Sequence, residues 1–392
     1  MTRSRMAGVN LALATIGFML NFWAWALLGP LAPGIKERLG LSFTAQSLLV
    51  AVPVLVGSLG RIPVGALTDR LGARVMFPLV SLATIVPVLT LAYVTSFPAL
   101  IVCGFFLGIG GTAFAVGVPL VTGWFEPQRR GAALGVFGVG MGGTAVANLT
   151  TVRLADHLGS RTPFLIVASV LAAYAIVAYL LMRDAPGTPR PTRSAWARTA
   201  DVARLGVTWQ LCFLYAVGFG GFVAFSVYLP AYLRIAYGLS PDDAAMRTAG
   251  FVVVAVLARP VGGALSDRFH PVPVLVYCFS GTALFAIIEA FEPMLIPVGT
   301  LGFLAMAALL GAASGAVFAL VGRVAPPDKV GSVTGLVGAA GGLGGFVPPL
   351  IMGWVYGTEH SYAIGLMLLS DVALAAAVYT TIRMRSLAVR PA

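Results

Sequence analysis

Two arginines, Arg61 and Arg259, lie inside long apolar stretches of the sequence, each eight residues before an Asp-Arg pair. A guanidinium group is permanently charged, planar and fork-shaped, which suits a small flat oxyanion that accepts paired hydrogen bonds. An arginine at the centre of a membrane helix costs roughly 2.5–3.5 kcal/mol, and no acidic residue lies at a matching depth in either stretch. The pair therefore predicts an anion site. The alternative is that backbone carbonyls, or a carboxylate from elsewhere in the chain, satisfy both arginines.

The two arginine segments are copies of each other. One reads Arg-Ile-Pro-Val-Gly-Ala-Leu-Thr-Asp-Arg from position 61, and the other reads Arg-Pro-Val-Gly-Gly-Ala-Leu-Ser-Asp-Arg from position 259. Their offset is close to half of the 392 residues, so the chain is predicted to be an internal duplication. At 1.5 Å per helical residue each arginine lies about 12 Å from its Asp-Arg pair, near the midplane of a hydrocarbon core roughly 30 Å thick.

The composition predicts the elements that must carry these arginines. Hydrophobic residues make up 59% of the chain, charged residues 10%, and the mean hydropathy is +0.94, as in membrane proteins with many spans. Twelve apolar runs have spanning length and are numbered here as spans 1 to 12: 9–33, 44–67, 75–96, 98–123, 131–156, 162–182, 208–238, 244–266, 272–292, 294–324, 330–356 and 361–383. The two longest runs, 208–238 and 294–324, are expected to include turns.

These runs predict an all-α membrane protein made of two pseudo-symmetric six-helix bundles. We expect the first bundle at residues 1–182, a basic cytoplasmic linker at 183–207 and the second bundle at 208–392. The linker contains five arginines and three prolines. Its segment from Trp196 onward is expected either to lie along the inner membrane surface or to be a solvated linker.

The formal charge of +11 raises the question of a nucleic-acid partner. If both termini are cytoplasmic, 17 of the 25 Lys and Arg residues fall in cytoplasmic segments. This is the positive-inside bias of membrane proteins, so the charge reports topology. We therefore expect contact with a lipid bilayer and no nucleic-acid partner.

The sequence offers no residues for an enzyme. It contains no H-E-x-x-H, no G-x-S-x-G and no cysteine pair with metal-ligand spacing. The run Gly138-Val-Gly-Met-Gly-Gly143 satisfies the dinucleotide pattern, but it lies in an apolar helix with no preceding strand, so the match is accidental. No catalytic residue, metal or cofactor is expected.

The loop after span 2, Gly65-Ala-Leu-Thr-Asp-Arg-Leu-Gly-Ala-Arg74, resembles the signature loop of the major facilitator superfamily, and the second half keeps Gly263-Ala-Leu-Ser-Asp-Arg268. With twelve spans in two halves, the resemblance covers the whole chain. It implies two bundles that rock about a central site, with a gate at the cytoplasmic face. Asp69 and Arg70 would latch one conformation against the end of span 11, and the second copy supplies Asp267 and Arg268. The alternative is a basic loop that only sets topology.

Within that superfamily the chain resembles the nitrate/nitrite porter family. The resemblance rests on Arg61, Arg259 and the glycine-rich stretch Gly108-Ile-Gly-Gly-Thr-Ala-Phe114 of span 4. In that family two arginines clamp the anion and aromatic residues close the pocket. The implied substrate-binding residues are Arg61, Arg259, Tyr215, Phe219, Phe114 and Gly111. The alternative for Tyr215 and Phe219 is plain core packing.

The sequence departs from the family pattern at two glycine-rich segments. Where the porters commonly have Asn after the span 5 glycines, this chain has Met141, and Ser314 stands in the corresponding segment of span 10. Loss of an amide donor puts the choice of anion in doubt. A larger or more apolar anion, such as a carboxylate, becomes an alternative.

The resemblance implies secondary transport of nitrate and nitrite across a bacterial cytoplasmic membrane. We expect the protein to function as a monomer. The alternatives are a transporter of a monocarboxylate or oxalate and, from a different class, a membrane receptor or scaffold. A channel is disfavoured. Exchange of anions needs no titratable group, whereas proton symport needs one. Asp371, the only acid near a span centre, is expected to be a hydrogen-bonded structural residue.

Overall fold

The structure is a computed structural model that describes residues 3–186, 195–326 and 329–384. These residues contain no strand and form twelve helices long and apolar enough to cross a membrane, which confirms the all-α prediction. The spans are Arg3–Leu39, Phe43–Leu71, Ala73–Leu91, Phe97–Trp124, Ala133–Leu158, Thr162–Leu181, Gly206–Tyr237, Pro241–Phe269, Pro271–Ala290, Leu295–Val324, Val330–Glu359 and Ala363–Arg383.

The expectation that the two longest runs include turns is wrong for span 7 and correct for span 10. Span 7 is one continuous α-helix over Gly206–Tyr237, and every residue from Val217 to Leu233 except Phe225 is buried. Span 10 begins with an irregular turn, Leu295–Gly299, before its α-helix at Thr300–Val324.

Several spans are interrupted near the arginines. Span 2 is interrupted at Gly60, directly before Arg61. Spans 4 and 5 tighten into 3₁₀ segments at Gly108–Thr112 and Val139–Gly142. Glycine permits these irregular segments because it has no β-carbon to clash with a neighbouring helix. In span 4 the irregular segment includes Gly111, whose carbonyl accepts a hydrogen bond from Arg61.

A helix of nine residues, Ala195–Ala203, lies between the halves and is called the linker helix. It packs against spans 2, 7 and 11, and its Val202 is buried. The segment is therefore a helix packed on the spans, which differs from a solvated linker; its position along the inner membrane surface stays a prediction. We call the end of the molecule that carries the linker helix and Arg3 the linker end, and the opposite end the far end.

The two bundles meet at the centre and at the far end. A β-carbon added to Gly342 would collide with Ser58, and one added to Gly353 would collide with Ser47, so spans 11 and 2 are in backbone-close contact there. Toward the linker end, a β-carbon added to Gly135, Gly331 or Gly335 would have no neighbouring atom within 4 Å. The described bundles are thus closed at the far end and diverge toward the linker end.

Two ion pairs join the bundles at the far end. Arg153 of span 5 contacts Asp242 of span 8 at 2.7 Å, and Arg234 of span 7 contacts Glu37 of span 1 at 2.7 Å. Exposed pairs of this kind each contribute at most about 1 kcal/mol. They fix the register of the two bundles more than they add to stability.

Candidate functional site

Close helix packing positions Arg61. A β-carbon on Gly111 would lie 2.9 Å from the Gly57 α-carbon, so only glycine at position 111 allows spans 2 and 4 to approach this closely. The approach brings the Gly111 carbonyl oxygen to 3.4 Å from Arg61 Nε, which donates to it. Arg61 itself is buried, with 8% of its surface exposed.

The second half repeats this arrangement around Arg259. Gly311 of span 10 lies against the backbone of Ala255 in span 8, and Gly315 lies against the Arg259 carbonyl. Ala255 precedes Arg259 by four residues, as Gly57 precedes Arg61. Small-residue contacts between paired spans therefore hold both arginines, as the duplication predicts.

Each arginine reaches across to the opposite bundle. Arg61 Nη1 donates to the Gly338 carbonyl of span 11 at 2.6 Å, and Arg259 Nη1 donates to the Met141 sulfur of span 5 at 2.6 Å. A β-carbon built on Gly138, the first-half counterpart of Gly338, would lie 3.9 Å from the Arg259 side chain. The two guanidinium groups thus make reciprocal contacts across the interface between the halves.

Aromatic rings surround both charges. The Phe219 ring centroid lies 5.8 Å from the guanidinium carbon of Arg61 and 5.7 Å from that of Arg259, within the range of cation–π attraction. Phe114 lies 5.1 Å from Arg61. Tyr215 stacks parallel on Phe219 at 5.0 Å, and its hydroxyl accepts a hydrogen bond from Arg259 Nη2 at 3.0 Å. The Phe219 ring therefore lies within cation–π distance of both arginines.

All six residues implied by the family resemblance come together at this centre: Arg61, Arg259, Tyr215, Phe219, Phe114 and Gly111. Their role in binding remains a prediction. The sequence reasoning missed Phe318, whose ring lies 5.4 Å from the Arg259 guanidinium and edge-on to Tyr215. The repeat contained the signal, because Gly111-x-x-Phe114 returns as Gly315-x-x-Phe318.

The site carries positive charge that the described residues do not neutralise. No carboxylate of the described chain lies within ion-pair distance of either guanidinium. Backbone carbonyls do accept two bonds from Arg61, as the alternative interpretation required. Even so, neither Arg61 Nη2 nor Arg259 Nε has a hydrogen-bond acceptor among the described residues. These free donors suit an anion.

The signature loops are arranged differently in the two halves. Asp69 forms an ion pair with Arg198 of the linker helix, where we expected a contact with the end of span 11. The linker helix packs on span 2 and so supplies the closer cation. Arg70, Asp267 and Arg268 are exposed.

The turns after the signature loops need a positive φ. Gly72 has φ 82°, and His270 takes the same place in the second half with φ 73°. The His270 imidazole accepts a hydrogen bond from the Val272 N–H at 3.3 Å. Burial, together with the charge of Arg323, lowers the pKa of His270, so the neutral form that accepts this bond is favoured.

Two acids in the second bundle lie away from the arginines. Asp371 is on the exposed face of span 12 and has no hydrogen bond among the described residues, so the expectation of a hydrogen-bonded structural residue is wrong. Glu289 of span 9, in contrast, is completely enclosed beside Gly302, and neither carboxyl oxygen has a partner in the described chain.

Twelve spans in two halves around a central arginine pair define the class of protein. A sequence model of the Major Facilitator Superfamily matches residues 14–383, and the chain belongs to this superfamily. Within it the chain belongs to the nitrate/nitrite porter family. It is 49% identical over 385 residues to the "Probable nitrate/nitrite transporter NarK2" of Mycobacterium tuberculosis, covering 97% of this chain and 98% of that protein.

Other relatives agree with this placement. The "Nitrite extrusion protein" of Bacillus subtilis is 38% identical, covering 94% of this chain and 93% of that protein. The "Probable nitrate transporter NarT" of Staphylococcus carnosus is 34% identical, covering 97% and 98%. The relatives are transporters by name, and none of these names describes an enzyme.

Solved structures support the fold alone. The human organic anion transporter MFSD10 superimposes with a TM-score of 0.77 at 16% identity, covering 95% of this chain and 99% of that chain. A bacterial homolog of the human lysosomal transporter Spinster, inward-facing and occupied, superimposes with a TM-score of 0.73 at 18% identity, covering 96% of each chain. The chain is thus a multi-pass membrane protein with the transporter fold of this superfamily.

Proposed function

We propose that the protein is a secondary transporter of nitrate and nitrite, with the anion bound between Arg61 and Arg259. The observation that carries this proposal is the reciprocal reach of the two guanidinium groups across the bundle interface, with free donors and no carboxylate partner among the described residues. The names of three relatives support nitrate or nitrite as the anion.

Alternating access follows from where each arginine makes its contacts. Arg61 belongs to the first half and bonds Gly338 of the second, while Arg259 belongs to the second half and bonds Met141 of the first. An anion that takes over these donors loosens two links between the bundles. Rocking then exposes the bound anion first on one side of the membrane and later on the other.

The aromatic groups limit what fits. Phe114, Phe219 and Phe318 lie beside the guanidinium groups, so an anion between the two arginines contacts ring surfaces. A flat ion such as nitrate accepts in-plane hydrogen bonds from the forks while its faces contact the rings. The Tyr215 hydroxyl supports Arg259 by accepting one of its bonds.

The linker end is assigned to the cytoplasm on the distribution of Lys and Arg residues, in a bacterial cytoplasmic membrane. The far end then faces outward, and the described conformation is closed to the outside. In this assignment the Asp69 and Arg198 pair ties the linker helix to span 2 and forms part of the cytoplasmic gate. Arg70, Asp267 and Arg268 contribute through their charge at the same face.

A second candidate substrate class is favoured by one observation. Met141 presents its sulfur to Arg259, where an amide would offer a donor to the anion. An anion with an apolar face, such as a monocarboxylate, would contact this thioether without leaving a donor unpaired.

Competition in proteoliposomes separates these candidates. Uptake of labelled nitrate is measured against unlabelled nitrate, nitrite, chloride, formate and oxalate. We expect nitrate and nitrite to compete best and chloride least. Stronger competition by formate or oxalate than by nitrite would reject the nitrate assignment in favour of carboxylates.

A further inference from the structure

The far end of the molecule holds a cavity that is separate from the central arginines. Its volume is about 260 Å³, and it lies between the end of span 1, the start of span 2 and the end of span 7. Its polar lining consists of Lys36, Glu37, Gln46 and Arg234. The cavity is therefore formed by both bundles at the end where they are closed.

Cations outnumber acids in this lining. Arg234 donates to the Glu37 carboxylate at 2.7 Å, and its side chain is only 17% exposed. The Lys36 ammonium lies 4.1 Å from the Phe43 ring centroid and has no carboxylate within ion-pair distance among the described residues. Glu37, the single acid of the lining, lies at the rim with 65% of its side chain exposed. The interior of the cavity thus keeps a net positive charge.

Gln46 supplies an independent indication of a ligand. The residue is 2% exposed, and its Nε2 is enclosed without a hydrogen-bond acceptor in the described chain. A buried amide donor without an acceptor is costly, and an enclosed polar group normally has a partner. Nε2 is closed off from the cavity in the described conformation, and a rotation of the Gln46 side chain would let a bound oxyanion provide the acceptor that the protein lacks.

We propose that this cavity is a peripheral binding site for a small oxyanion, which arrives from the far side of the membrane and binds before it reaches Arg61 and Arg259. Lys36 and Arg234 are its donors, and the Gln46 amide joins them once its side chain turns into the cavity. The proposal rests on the proposed function, because it takes the same anion as the central site.

Binding at this site also weakens the contact between the two bundles at the far end. Glu37 belongs to the first bundle and Arg234 to the second, so their pair links the halves at the far end. An oxyanion that accepts from Arg234 competes with Glu37 for that guanidinium. Binding therefore weakens one of the two described cross-bundle ion pairs at this end and favours opening toward the side from which the anion came.

The first test compares two substitutions that each remove one positive charge at the far end. Lys36→Gln removes a cation from the cavity, while Arg153→Gln removes a cation and a cross-bundle ion pair outside it. We expect Lys36→Gln to lower kcat/KM for external nitrate about 10-fold at low ionic strength, with a smaller loss in high salt. Arg153→Gln weakens the other cross-bundle pair without touching the cavity, so it should not lower kcat/KM for external nitrate. Equal losses in the two variants would overturn the site.

Glu37→Gln tests the competition, and the expected change has the opposite sign. Removing the competing carboxylate frees Arg234 for the anion, so the KM for external nitrate should fall. A simple loss of structure would raise it instead, as would an essential role of the ion pair. A raised KM in this variant overturns the competition.

Direct binding separates this proposal from the proposed function. Line broadening of ¹⁵N-nitrate is recorded with the full chain carrying Arg61→Gln and Arg259→Gln, which disables the central site. Broadening that persists and then disappears on addition of Lys36→Gln supports the peripheral site. If broadening is lost in the double variant but present in the wild type, only the central site binds. A wild type without any nitrate binding or uptake rejects the proposed function itself.

Discussion

The guanidinium groups of Arg61 and Arg259 combine charge with a geometry that an ammonium group lacks. Each donates across the bundle interface and lies near the Phe219 ring. A lysine retains the charge but presents no parallel donors and has a shorter reach. The chemistry at each position therefore depends on shape as much as on charge.

We predict that Arg61→Lys and Arg259→Lys each lose most anion binding. A hydrogen bond to a charged group contributes about 1.5–3 kcal/mol, so affinity should fall roughly 10- to 100-fold. Thermal protection by nitrate measures this loss, and size-exclusion profiles control for folding. Protection equal to the wild type in both variants would remove the clamp.

The contact of Met141 with Arg259 makes position 141 the place to test anion choice. Met141→Asn puts an amide beside the guanidinium, so we expect nitrate to bind more tightly, by the free energy of about one charged hydrogen bond, 1.5–3 kcal/mol. Anions with an apolar face should bind less well, because the amide would be left unpaired against carbon. The measurement is the ratio of nitrate to acetate affinity. An unchanged ratio would show that position 141 has no influence on the substrate.

The residue types at the central site explain how much of that site could be predicted from the sequence. An arginine with no acid at its depth must find another partner, which singled out Arg61 and Arg259 from sequence alone. The Gly338 carbonyl and the Met141 sulfur were not predictable as the partners, because the rotation of spans 11 and 5 about their own axes decides which atoms face inward, and in span 5 the 3₁₀ segment Val139–Gly142 alters it. Hydropathy carries no information on that rotation.

At the scale of helices, span 9 presents an unusual element: an enclosed acid without a partner. Glu289 has no surface exposure and lies against Gly302 of span 10, and the hydroxyl groups of Tyr232 and Tyr237 are also enclosed without hydrogen-bond partners. An uncompensated buried charge strongly destabilises a fold. The packing of spans 7, 9 and 10 thus suits a neutral side chain at this position.

We predict that Glu289→Gln keeps or raises the melting temperature in detergent, since glutamine has the same shape without an ionisable group. Glu292→Gln, three residues on at an exposed position, is the matched control and should leave the melting temperature unchanged. A marked loss of stability in Glu289→Gln alone would indicate that the ionised carboxylate has a partner, and would contradict this description.

The helices that the sequence did and did not predict show the limits of using apolar runs to find them. Apolar runs located all twelve spans, because lipid demands about 20 apolar residues for each crossing. They did not locate the linker helix, whose nine residues are too short and too polar for that signal. The partner of Asp69 was mispredicted for the same reason, since Arg198 lies on this helix.

For the whole molecule, the placement of acids bears on energy coupling. No described carboxylate contacts the central arginines, and Asp371 lies on the outer face of span 12. We predict exchange of nitrate for nitrite with weak dependence on a proton gradient, and unchanged exchange in Asp371→Asn. Counterflow in proteoliposomes with and without an imposed gradient measures this. Uptake that requires the gradient and disappears in Asp371→Asn would establish proton symport instead.

The duplication made the overall architecture predictable, because two copies of one arginine segment imply two similar bundles around one axis. The conformation was not predictable. Every superfamily member must visit states open to either side, so one sequence encodes several arrangements of the same bundles, and only the spacing around glycines such as Gly342 and Gly335 distinguishes them.

The contact between Gly342 and Ser58 lies one helical turn beyond Gly338, the residue that accepts from Arg61. Bundles that rock about a central site pivot close to that site, so this contact lies near the fulcrum and almost at the anion. Atoms near the pivot move little when the bundles rock, whereas atoms at the two ends of the molecule move far. The bound ion would then meet nearly the same surroundings in both orientations, and its affinity from the two compartments would be alike. The carrier would then work equally well in either direction, and the electrochemical gradients of the exchanged anions would decide which way each one moves.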